Sequence, residues 1–202
     1  MLLVALFNWA SFLAWIVWVQ LYFQNYKGYT PLHTAVVLLP MFFSGVVCNI
    51  FVVLVGARMP LVWVLAIGTL GTSVACLLFA TIIPDASYWS FSFPAIFLSS
   101  MGADIISCVG TLFIAKAVLP EEQSVAGGLF MTMTQLGTAV GVTVSTIAAN
   151  ATVANDSLSI YRAAQWTAFI FGACGECDTV IYMFYSNVIP SSEHYWHYLL
   201  QR

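Results

Sequence analysis

Charged positions divide the chain into long apolar runs. None occurs from Met1 to Tyr26, from Gly28 to Ala57, from Met59 to Pro84 or from Gln123 to Asn155, and Asp104 alone interrupts the stretch from Ala86 to Ala115. A last run, Ala163 to Ile189, carries Glu176 and Asp178. Each run can hold the roughly 20 apolar residues that cross a bilayer. The pattern predicts six transmembrane helices near 2–24, 34–56, 60–83, 89–117, 124–152 and 163–188, with 189–202 as a C-terminal tail. Strands do not fit. The runs exceed the roughly 10 residues of a barrel strand and lack strict alternation, and only a helix satisfies its backbone within the segment. The fold class is therefore an all-α membrane protein.

Composition agrees. The 202 residues are 61% hydrophobic and 6% charged, whereas soluble domains carry about 25% charged residues. A soluble enzyme and a nucleic-acid binder are excluded on that ground, and the lipid bilayer is the first partner. The net charge of -3 is too small to form a patch. Five cysteines make no even disulfide framework. Cys174-x-x-Cys177 ahead of His194-x-x-His197 faintly suggests zinc, but the His spacing is shorter than the usual three to five and the Cys pair is in an apolar run. No metal or cofactor is expected, and no nucleophile–His–acid grouping marks an enzyme.

The links are short and rich in helix breakers: Asn25 to Pro31, Gly56 to Pro60, Pro84 to Ser87, and Leu119 to Glu122. Short links imply antiparallel neighbours in one bundle. The links with Lys27, Asp85 and Arg162 lie on one side, and Arg58, Lys116 and Arg202 on the other. Two cations face three, so the positive-inside rule scarcely discriminates. Asn150-Ala-Thr152 and Asn155-Asp-Ser157 match the glycosylation acceptor pattern. Both fall on the Lys27 side, which makes that side lumenal or extracellular and both chain ends cytoplasmic.

The fifth run repeats small residues at Gly137, Gly141, Ser145 and Ala149, a stripe where another helix backbone can approach closely. Gln135, about 200° around from Gly137, points away from it and either bonds a neighbouring helix or lines a polar cavity. In the fourth run Asp104 falls near mid-bilayer, where an ionised carboxylate costs at least about 2.5–3.5 kcal/mol. Ser100, Asp104, Ser107, Cys108 and Thr111 share one face. Asp104 is a proton-carrier candidate; the competing reading is a protonated carboxyl that serves packing. In the first run Asn8, Ser11, Trp15, Trp18 and Tyr22 share a side. They suit an aromatic-lined cavity for organic cations or amphiphiles, or, for Trp18 and Tyr22, an interface belt. Gln20 and Asn49, with Ser100 and Ser107, are further candidates for the substrate pathway, and Gln24 is a further polar candidate.

The run from Trp18 to Leu32, followed by Val37-Leu-Leu-Pro40, resembles the start of the second half of a major facilitator superfamily transporter. Leu119 to Phe130 with Gln135 to Gly141, Phe91-Ser-Phe-Pro94, and Met101 to Ile105 extend the likeness. The pattern is similar to the fungal fourteen-helix drug:proton antiporter branch, which includes aminotriazole-resistance proteins and low-affinity ammonium transporters, and it covers about residues 1–173. This resemblance implies a multi-pass protein of the plasma or vacuolar membrane. Its six helices form one half of a major facilitator fold, whose partner is an N-terminal half absent from this sequence. It implies proton-coupled export of small organic molecules or ammonium, with Asp104 binding the proton and Asn8, Ser11, Trp15 and Gln135 meeting the substrate. The alternative is a non-transporting membrane fragment or regulatory partner from a truncated gene.

The resemblance fades after Ala173. Gly175-Glu176-Cys177 can be encoded by a sequence containing a splice donor, so the segment beyond about Gly175 is expected to be intron read-through or a mis-called gene end. In that case Glu176 and Asp178 carry no role. Otherwise they are two costly intramembrane acids.

Overall fold

The computed structural model describes residues 1–56, 61–84, 87–152 and 157–188. Arg58, Asp85, Asn155, His194, His197, Arg202 and the tail 189–202 lie outside the described residues. Among those described, the chain is helical throughout: α1 (Leu2–Leu21), α2 (Pro31–Val37), α3 (Pro40–Gly56), α4 (Leu61–Ala80), α5 (Tyr88–Ala117), α6 (Gln123–Ala151) and α7 (Ser157–Val188). Six helical segments are long and apolar enough to cross a membrane, α2 and α3 together making the second. The chain is an integral membrane protein.

Local chemistry explains the breaks. The last turn of the first span widens into a π-helix, Tyr22–Tyr26, and Lys27 N–H bonds back to Tyr22 O at 3.1 Å. Gly28, at φ +69, then turns the chain through a conformation that costs other residues steric strain. Thr30 caps α2 by accepting from His33 N–H, and Pro31 occupies the first turn, where its missing N–H is no loss. The second span is two helices rather than one. Pro40 supplies no N–H and crowds the residue before it, so the ladder breaks at Leu38 and Leu39. Tyr88 Oη of α5 donates 2.7 Å to the Val37 carbonyl beside that break.

Helix packing divides the bundle into interior and rim. The apolar stretches of α1 and α4 are each 56% buried and that of α5 is 50%, against 17% in α2–α3 and 22% in α6 and in α7. The principal contacts are α4 with α5 and α7, α1 with α6 and α7, and α3 with α5. Lipid tails are as apolar as leucine, so association rests on close packing and interhelical hydrogen bonds rather than on escape from water. The α1/α6 seam shows this. Gly137, Gly141, Ser145 and Ala149 are all buried. A β-carbon at Gly137 or Gly141 would collide with the carbonyl oxygen of Leu6 or Ala10 of α1. Trp18 Nε1 closes the seam by donating 3.0 Å to Ser145 Oγ.

The end of α4 is held by cations. Lys27 Nζ donates to Pro84 O, and Arg162 donates 2.7 Å to Ile82 O from the start of α7. Both contacts fall on the link that follows α4, tying it to the link before α2 and to the first turns of α7.

Candidate functional site

A cleft of about 350 Å³ opens between α5 and α6 over α1. Its floor is Trp9 and Leu13, one turn apart on α1, with the Phe130 ring of α6. Phe130 reaches inward because Gly110 of α5 has no side chain; a β-carbon there would collide with the ring. The polar groups are Ser107 of α5 and Thr134, Gln135 and Thr138 of α6. The hydroxyls are tied to their own helices: Ser107 to Ala103 O at 2.9 Å, Thr134 to Met131 O at 2.7 Å and Thr138 to Thr134 O at 3.0 Å. Gln135 is exposed, and its amide is free to meet a guest. The wall is therefore mostly apolar and aromatic with a few polar edges, the usual make-up of a small-molecule site.

Asp104 sits one turn before Ser107 on α5, against α3. Ser100 Oγ lies 3.1 Å from Asp104 Oδ2 and also 3.1 Å from Met41 O. The Ser100 hydroxyl donates to both acceptors as a shared hydrogen bond; when the carboxyl is protonated it can instead donate to Ser100, leaving Ser100 to donate to Met41 O. Asn49 Nδ2 donates 2.8 Å to Gly45 O, and Cys108 Sγ donates 3.1 Å to Asn49 Oδ1. Ser44 Oγ donates 2.7 Å to Phe97 O. Serine, asparagine, cysteine and the carboxyl thus form one polar seam between α3 and α5.

The structure distributes the sequence candidates unevenly. Ser107 and Gln135 share the cleft, and Ser100, Asp104 and Asn49 share the α3/α5 seam. Asn8, Ser11 and Trp15 lie in the interior, at 1%, 0% and 0% exposure. Trp15 packs edge-on against Phe79 at 5.5 Å. Steps of three and four mark a common face, but the face of α1 that carries them is the one covered by α4 and α7. The α1 residues in the cleft are Trp9 and Leu13 instead. Gln20 is exposed outside the cleft, and Asn150 is exposed in the last turn of α6. Sequence reading missed Trp9, Phe130, Thr134 and Thr138. The available signal was Thr134 and Thr138 flanking Gln135 at one-turn spacing. The described residues contain no group of three metal-ligating side chains.

No protein-family model and no solved structure matches the chain. Curated relatives do. MFS-type transporter 1 of Pyricularia oryzae is 28% identical over 72% of this chain and 24% of its own length. An uncharacterized MFS-type transporter of Schizosaccharomyces pombe is 25% identical over 89% of this chain and 35% of its own. The methylenomycin A resistance protein of Streptomyces coelicolor is 34% identical over 68% and 28%. The chain is a relative of the major facilitator transporters. It spans about a quarter to a third of the length of these curated relatives. A continuous match over 89% of 202 residues reaches at least about residue 180. The likeness to an MFS transporter therefore does not stop at Gly175, and α7 runs through that position without a break.

Proposed function

We propose that the chain is the C-terminal half of a proton-coupled major facilitator exporter, the α1/α5/α6 cleft being one wall of its substrate pathway. The observation that carries this reading is the position of Ser107. It lines the cleft and stands one turn from Asp104, so proton binding at the carboxyl and guest binding in the cleft act on the same stretch of α5. Proton coupling requires only that the carboxyl bind its proton with different affinity in the two access states.

Two of the three sparsely buried spans, α2–α3 and α6, support the other part of the proposal. Phe42, Phe43, Val46 and Val47 of α3 and Leu129, Leu136 and Val140 of α6 are exposed, and these faces are where an N-terminal half would pack. The guests in this reading are small organic molecules or ammonium, and the membrane is the plasma or vacuolar membrane. The chain acts as a carrier, not an enzyme, and needs no cofactor.

Co-reconstitution with an N-terminal half in proteoliposomes tests the assignment. Efflux of an organic substrate is expected from the pair, with Gln135→Ala weakening substrate affinity. If the paired halves assemble but move nothing, the chain is a non-transporting membrane partner instead.

A further inference from the structure

The junction of α1, α4 and α7 holds a polar column that the carrier reading does not use. Gln165, Ala168, Gly172 and Glu176 follow one another on α7 at steps of three and four, so they share a face. Each level is met by a polar group. Gln165 Nε2 donates 3.3 Å to Trp15 O. Ser11 Oγ donates 2.8 Å to Ala168 O and lies 3.3 Å from Cys76 Sγ. A β-carbon at Gly172 would stand 3.0 Å from Ser11 Oγ and 2.8 Å from Ser73 Oγ. The bare glycine thus lets hydroxyls from two helices face one point. Ser73 donates 3.0 Å to Thr69 O, and the Thr69 hydroxyl donates to the Glu176 carboxyl. The eleven steps from Gln165 to Glu176 rise about 16 Å, half of the roughly 30 Å hydrocarbon core.

Two buried amides at this junction have polar atoms without a hydrogen-bond partner among the described residues. Asn8 is 1% exposed, and neither its Oδ1 nor its Nδ2 is hydrogen-bonded. It precedes Ser11 by one turn. Its backbone N would lie 3.6 Å from a β-carbon on Gly175, which sets it level with the Glu176 turn of α7. Gln165 is 2% exposed and its Oε1 is unpaired. Asn8, level with Gly175, and Gln165 stand about 15 Å apart along α7, so no single guest meets both. Separate water molecules, which donate and accept, satisfy each.

No basic side chain meets Glu176 among the described residues. The neighbouring elements offer few charged or titratable groups. Thr69 and Ser73 of α4 are neutral, and Cys76 is buried two turns away. The helix α6 has no titratable residue along its length. Asp178, two residues on, is within electrostatic reach of the Met1 amine ahead of α1, and its buried Oδ2 has no hydrogen-bond partner among the described residues. Cys174 and Cys177 are exposed, and Arg162 is engaged at the far end of α7.

We propose that the α1/α4/α7 junction is a water-bearing protonation site. Glu176 takes up and releases a proton through water molecules held by Asn8, Ser11, Ser73 and Gln165, separately from Asp104. The inference rests on this junction alone and requires neither a second half nor a substrate.

Infrared spectroscopy of the full 202-residue chain in lipid nanodiscs tests it, through the carbonyl stretch of protonated carboxyl groups over a pH series in light and heavy water. One component of that band is expected to vanish in Glu176→Gln, to persist in Asp104→Asn, to disappear at alkaline pH and to shift promptly in heavy water. Asn8→Leu should slow that shift. Thr69→Val, a milder change, should move the component to higher frequency by removing its hydrogen bond. A band unchanged in Glu176→Gln and unmoved in Thr69→Val would overturn the site. A Glu176 component indifferent to heavy water would overturn the water path.

Discussion

Gly45 of α3 stands directly against the Asp104 carboxyl of α5: a β-carbon at residue 45 would lie 2.8 Å from Oδ2 and 3.8 Å from Ser100 Oγ. Glycine here leaves room for the carboxyl to sit between two helices while bonded to Ser100. The intruding atom in a Gly45→Ala protein meets the end of a side chain, which can swing away. Gly102, two residues before the carboxyl and on the opposite side of α5, is different, because a β-carbon there collides with Thr72 Oγ1 and the Gly68 backbone. Gly102→Ala is therefore expected to cost about 1–3 kcal/mol by overpacking, and Gly45→Ala much less. Gly45→Ala should nonetheless expose Asp104 to a lipid-soluble carbodiimide. Denaturation in detergent and carbodiimide labelling, read side by side, check the pair.

The α1/α6 seam yields a second expectation. Ser145 accepts from Trp18 Nε1, and interhelical hydrogen bonds in membranes average about 0.6 kcal/mol. Ser145→Ala should lose about that much, and a double-mutant cycle with Trp18→Phe should show most of it as coupling. Gly141→Leu should be far worse, since the helices must part. A Gly141→Leu protein as stable as the parent would mean that α1 and α6 do not pack at this register.

Lys27, from the link before α2, and Arg162, from the start of α7, hold carbonyls of the link that follows α4. Replacing either by methionine is expected to cost about 0.5–1.5 kcal/mol, the net scale of one hydrogen bond, and the double replacement should loosen that link further. Protease sensitivity between residues 81 and 87 provides the readout: cleavage should rise in the single variants and rise further in the double.

Much of this architecture is legible in the residues themselves, and the exceptions share one cause. The charge gaps mark the six spans because hydrocarbon tolerates few charges. The four-residue recurrence of small side chains from Gly137 to Ala149 marks a place for close approach, because that property belongs to one helix alone. The break before Pro40 was obscured by the apolar run around it, which reads as a single span. Trp9 and Phe130 were missed because each owes its place to another helix: Trp9 lines the opening that α5 and α6 leave over α1, and Phe130 fills the gap at Gly110. The same holds for Thr69 and Glu176, 107 residues apart. Periodicity identifies which residues of a helix stand together, but not which neighbour covers them, and so Asn8, Ser11 and Trp15 read as a cavity wall although α4 and α7 close over them.

The most direct measurement of the central claim is substrate efflux under an imposed proton gradient, by the chain joined to an N-terminal half, with Asp104 intact and as Asp104→Asn. The account predicts that the variant still binds substrate in the Gln135 cleft but no longer responds to the gradient. Efflux that follows the gradient equally well in both proteins would contradict it.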